Sequence, residues 1–151
     1  MREIKFRAYH KADQRLFQVD SLRFDPYSMN LVGVVELEDF GIAKLQDNEF
    51  LSKKMHSWKL EDVALMQFTG LNDKNGKEIY EGDIFSHPEY IPPVKGVVNL
   101  CVGFKDGMFQ CGHGSTPEWW VYALKNFNEE AEVIGNIYEN GELLSNNPKR
   151  E

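Results

Sequence analysis

The chain of 151 residues has no apolar run near the roughly 20 residues that a membrane-spanning helix needs. A helical membrane protein is therefore not expected. The start, MREIKFRAYHKADQR, carries charges at nearly every second position and no apolar stretch, so it does not read as an export signal. Cysteine is scarce. Two thiols without an export signal point to a reducing cytoplasm and not to a disulfide framework. Excess positive charge is also missing, since the formal net charge is −7. Residues 1–64 hold 10 Lys/Arg against 11 Asp/Glu, and residues 65–151 hold 7 against 13, so the acidity lies in the second half. A chain that grips a phosphate backbone normally concentrates cations instead.

Aromatic residues, by contrast, are plentiful at 13%, with ten phenylalanines. Such rings are costly to leave in water, and a chain of this length can bury roughly two thirds of its unfolded surface. It should fold as one domain or two very small ones.

Alternation with period two marks strands. In EIKFRAY (3–9), Ile4, Phe6 and Ala8 fall on one face, and Lys5, Arg7 and Tyr9 on the other. LFQV and SLRF follow as short strands, the second ending at Asp25-Pro26 because proline has no N–H for a ladder. LVGVVELE (31–38) is a fourth, with Gly33 hinting at a bulge. Residues 39–57 read either as a short helix capped by Asp47, with Phe50, Leu51 and Met55 on one face, or as an irregular connection.

Beyond Val63 the signals sharpen. DKNGK separates VALMQFTGL from KEIYEGDIF, and Asn75-Gly76 tolerates the positive φ of a tight hairpin. A three-residue loop of Lys74, Asn75 and Gly76 pairs Asp73 with Lys77 and Leu71 with Ile79. A two-residue loop would oppose Asn72 and Ile79, so the apolar match selects the longer one. GDIFSH, VKGVVNLCVGF, MFQC, WWVYAL and EVIGNIYE then space themselves as five strands of a small β-barrel. The expected fold is mainly β. Residues 1–62 form a β-rich N-terminal subdomain, 63–144 the hairpin plus barrel, and 145–151 a disordered tail.

IKFRAYHK (4–11), LMQFTGLNDKNGKEIYEGDIF (65–85) and EVIGNIYENGELL (132–144) together resemble the YopX family of small proteins encoded by bacteriophages and prophages. The resemblance implies a β-rich N-terminal part joined to a five-stranded SH3-like barrel. It implies no biochemical activity, because the family has none established.

Reactive chemistry is thinly signalled. Cys101, Cys111 and His113 lack the close pair and the fourth ligand of a zinc site. A two-residue turn at Asp106-Gly107 would set Val102 opposite Cys111 and point Cys101 to the other side, whereas a three-residue turn would place the two cysteines opposite each other. His10, His56, His87 and His113 sit in no nucleophile or metalloprotease motif. The loop Gly112-His113-Gly114-Ser115 lacks the Lys-Ser/Thr of a phosphate-binding loop, and Glu129, Glu130 and Glu132 read as a solvated acidic face. No metal, no cofactor and no catalytic residue is expected. Aromatic side chains are the better lead. Tyr90, Trp119, Trp120 and Tyr122 are the candidate binding residues for a second copy of the chain or a phage or host protein. The alternative is nucleic-acid binding through Lys5, Arg7, Arg15 and Arg23, with Tyr9 as a stacking platform. The 65–85 segment, for all its distinctiveness, reads as scaffold.

Overall fold

The computed structural model describes residues 3–45, 48–87, 98–113, 120–126 and 129–146, with backbone alone for 37–45, 48–55, 120, 121 and 146. It is mainly β, as the alternation implied. The chain divides into two compact units, Lys5–Leu65 and Met66–Glu151 with Met1–Ile4.

In the unit Lys5–Leu65, β1 (Phe6–His10) and β2 (Arg15–Gln18) form a hairpin that pairs Ala8 with Phe17 and His10 with Arg15. Ile4 does not share their buried face as expected. The strand begins at Phe6, and Ile4 is 69% exposed. β3 (Ser21–Phe24), β4 (Leu31–Leu45) and β5 (Asn48–Lys59) make a three-stranded antiparallel sheet in that order. Leu22, Val34 and Trp58 form one row across it. Ala8, Phe17, Val34 and Val63 are the core of this unit, with Leu22, Trp58, Leu60 and Leu65 packed against them.

β5 overturns both expectations for residues 39–57. This stretch is neither helix nor irregular connection but the body of a long hairpin, while the proposed cap, Asp47, lies outside the described residues. The physical reason is the partner strand. The register sets Glu38 opposite Lys54, Asp39 opposite Lys53 and Lys44 opposite Glu49. The ladder with β4 satisfies the backbone groups of this stretch along its length, which a short isolated helix does only marginally.

The hint at Gly33 was close. Arg23 pairs with Gly33 and Phe24 with Leu31, which leaves Val32 as the extra residue of a bulge. Gly33 itself is demanded by close approach, because a Cβ there would sit 2.4 Å from the carbonyl oxygen of Trp58.

In the other unit, a five-stranded antiparallel sheet runs β11-β10-β9-β8-β12. Its strands are β8 (Asp83–His87), β9 (Val98–Lys105), β10 (Met108–Gly112), β11 (Trp120–Ala123) and β12 (Glu132–Asn136). They are the five strands the sequence spaced out. Ile79, Phe85, Leu100, Val102, Cys111 and Leu124 are buried in its core. The β9–β10 connection is the two-residue alternative, with Asp106 at φ 51° and Gly107 at φ 80°. Phe104 accordingly faces Phe109 and Val102 faces Cys111. Gly141–Asn146 forms a 3-10 turn, so the proposed tail begins inside an ordered element, and 147–151 lie outside the described residues.

Candidate functional site

The segment 65–85 becomes β6 (Val63–Asn72), β7 (Glu78–Tyr80) and the start of β8. Its loop is the three-residue one. The N–H of Asp73 donates to the carbonyl of Lys77, Asn72 pairs with Glu78, and the positive φ falls on Gly76. The expected Leu71–Ile79 ladder pair does not form. The ladder slips between Asn72 and Phe68, and Gly70 takes φ 85°. Thr69 bridges the gap: its hydroxyl donates to the Ile79 carbonyl at 2.8 Å and accepts from the Leu71 N–H at 3.2 Å. Leu71 still packs against the core that contains Ile79.

The polar groups of this segment turn inward. Asp73 is buried. One carboxylate oxygen accepts from the N–H groups of Asn75 and Lys77, and the other accepts from Val133 of β12. Burial alone would raise its pKa. Those three N–H donors and the Lys77 charge outweigh it and hold the carboxyl below the usual range. The Lys74 N–H adds a bond to the Ala131 carbonyl. Glu81 accepts from the Gln67 N–H, and Asp83, 1% exposed, accepts from the Tyr80 N–H. Gly82 at φ 76° donates to Val102 and accepts from Ile137. The bend into β8 is thus tied from both sides.

A second polar group lies in the unit Lys5–Leu65. Arg15 grips the buried carboxylate of Glu36 with both guanidinium nitrogens, at 2.6 and 2.7 Å, and the Trp58 indole N–H adds a third donor at 3.2 Å. Chiefly through Arg15, and against the cost of burial, the Glu36 carboxyl is held below its ordinary pKa. The Trp58 ring centroid is 4.0 Å from that of His10, tilted by 39°, and 5.8 Å from that of His56, with which it stacks. His10 in turn meets the Asp13 carboxylate at 2.9 Å.

The thiols are the least reactive groups here. Cys101 and Cys111 are fully buried, and burial, helped for Cys101 by Asp83 and for Cys111 by Cys101, pushes both up to about 12.

Among the described residues of the unit Lys5–Leu65, exposed large hydrophobic side chains gather on the β3–β4 connection. Tyr27 is 95% exposed and Met29 71%, with Phe24 and Val32 at the flanking strand ends. This connection is built, not loose. The Asp25 carboxylate accepts from the N–H groups of Tyr27 and Ser28 and from the Ser28 hydroxyl. Those bonds, those of Ser28 foremost, lower its pKa. The Asp25 N–H donates to Asn30 and the Met29 N–H to Asp25, with Met29 held at φ 58°.

A family model described as YopX protein matches residues 5–145. The chain belongs to the YopX family. The crystal structure of protein EF1440 from Enterococcus faecalis is similar, with a TM-score of 0.64 and 27% identity over 95% of this chain and 99% of that one. No curated protein matches.

Among the residues this YopX chain was expected to use for binding, Tyr90 and Trp119 lie outside the described residues. Trp120 pairs with Gly112 and Tyr122 with Cys111, leaving Val121 as the extra residue of a bulge. Tyr122 packs against the core. Of the basic set, Arg15 is engaged with Glu36, and Arg23 donates to the Ser57 hydroxyl. Lys5, Arg7 and Tyr9 are half-buried on β1 and just before it. The acidic trio behaves as a solvated face: Glu129, Glu130 and Glu132 are exposed, and Glu132 pairs with Lys74 at 2.7 Å. The turn of Tyr27 and Met29 escaped notice in the sequence. Asp25-Pro26 marked only a strand end, yet the Asp-x-x-Ser spacing that ties the turn was there to read. No helix among the described residues is long and apolar enough to cross a membrane.

Proposed function

We propose that this YopX chain is a non-catalytic interaction module, encoded by a phage or prophage, that acts in the bacterial cytoplasm on a second copy of itself or on a phage or host protein. The observation that carries this reading is the β3–β4 connection. Four large apolar side chains are held in water by a turn whose backbone is already fixed. A non-glycine residue at φ 58° carries one of them, a local cost that is commonly retained where a surface has a use. Pre-ordering of the turn reduces the entropy lost on binding, and Tyr and Met are favoured at interface centres. The non-catalytic part is supported by the state of the reactive groups. Asp73, Glu36 and Asp83 are each engaged in internal hydrogen bonds, and both thiols are buried.

The test compares wild type with Tyr27→Ser/Met29→Ser by light scattering over a concentration series and by capture from lysate of the prophage-bearing host. Wild type should self-associate or retain a specific partner, and the double variant should lose it at unchanged stability. Identical monomers that retain nothing would refute the reading.

A further inference from the structure

Beside the exposed turn, and within the same unit, lies a groove of about 530 Å³. Its charge pattern follows from register. Arg23 pairs with Gly33, and Gly33 pairs with Lys59, so the three residues form one row across β3, β4 and β5. Cross-strand neighbours share a face. Two cations therefore stand on either side of a residue with no side chain. With strands about 4.8 Å apart, their backbones are about 10 Å from each other. The glycine is required there because the Trp58 carbonyl occupies the place a Cβ would take. Val32 and Leu60 supply apolar lining, and Phe24, Tyr27 and Met29 are exposed on the adjoining strand end and turn.

We propose that this groove takes an extended acidic peptide segment of a partner protein, a reading that rests on the interaction module above. Side chains at i and i+2 of an extended peptide share a face about 7 Å apart. Two carboxylates at that spacing come within reach of the Arg23 and Lys59 stems, and apolar neighbours meet Val32, Leu60 and the turn. The one lining anion, Glu61, lies 3.3 Å from Lys59, and both side chains are about three-quarters exposed. So open a pair is weak, and an incoming carboxylate can compete for the lysine. A peptide fits better than a nucleic acid. The lining offers two cations against one anion, and the neighbouring surface is apolar, which a phosphate backbone would not use.

The test selects random displayed dodecapeptides on the immobilised full chain and then titrates the enriched synthetic peptides. The proposal expects sequences that combine Asp or Glu with apolar residues. Their affinity should fall about tenfold or more in Arg23→Glu/Lys59→Glu, and less in Arg23→Gln/Lys59→Gln. Urea midpoints confirm that the variants fold. Peptides that need Tyr27 and Met29 but ignore the charge reversal would overturn the acidic inference and leave the interaction module standing. No enrichment, or peptides indifferent to both sets of changes, would overturn the acidic-peptide inference, while the interaction module falls only if light scattering and lysate capture also find nothing. An oligothymidylate that binds through the same two cations more tightly than any peptide would overturn the proposal in favour of a nucleic-acid ligand.

Discussion

The carboxylate of Asp73 accepts a hydrogen bond from the backbone N–H of Val133 at 2.9 Å, joining positions 60 residues apart. Through it the tight turn of the most recognisable segment is fastened to the last strand of the sheet. The segment that identifies the family is, on this geometry, a hydrogen-bonded frame.

Removing that carboxylate should cost stability. Asp73→Ala leaves the N–H groups of Asn75, Lys77 and Val133 without their acceptor, and losses of this kind add up to about 2–4 kcal/mol. Asp73→Asn should cost less, because one oxygen remains. Urea unfolding measures both, and an unchanged midpoint for Asp73→Ala would contradict the frame.

Acid should weaken the same link. The folded carboxyl lies below its ordinary value, so its stabilising contribution is complete above the unfolded pKa of about 3.9. It fades as pH falls through the lower folded value. Asp73→Asn should therefore flatten the loss of stability in that acid window. Parallel wild-type and variant curves would assign the acid loss elsewhere.

Arg15→Ala should destabilise by about 2–4 kcal/mol, since it strips the forked partner from a carboxylate that is 5% exposed. Arg15→Lys should recover only part of this, because the fork is lost. Equal stability of wild type and Arg15→Ala in urea would show that the Trp58 indole alone suffices.

Cys101 and Cys111 should resist Ellman's reagent at pH 8 while the chain is folded, and both should react once it is unfolded. Their burial and a pKa of about 12 leave almost no thiolate. Modification faster than unfolding would contradict their placement.

Local chemistry was legible in the sequence, and distant partners were not. Asp106-Gly107 marked the turn itself, while the choice between a two-residue and a three-residue loop, and with it the Val102–Cys111 register, was left to the structure. The loop Lys74–Gly76 was chosen on the Leu71–Ile79 match, and the loop formed although that ladder pair did not. Leu71–Ile79 failed because the Thr69 hydroxyl takes over the ladder locally. Asp73 was seen as a turn residue, but nothing in DKNGK announces Val133. β5 was missed because its strand character depends on the backbone ladder with the distant partner strand β4. At the candidate site, the rings at 119–122 drew attention by their bulk. Exposure on the β3–β4 connection is a property of the folded chain and could not be counted beforehand.

Amide hydrogen exchange at Val133 tests the frame most directly. The account predicts that the amides of Val133 and Lys77 exchange only through large-scale opening in wild type. Both should accelerate selectively in Asp73→Asn, while remote strand amides such as that of Leu100 keep their protection. If the Val133 amide of the wild-type chain exchanged as fast as an exposed loop amide, the segment 65–85 would not be the frame described here.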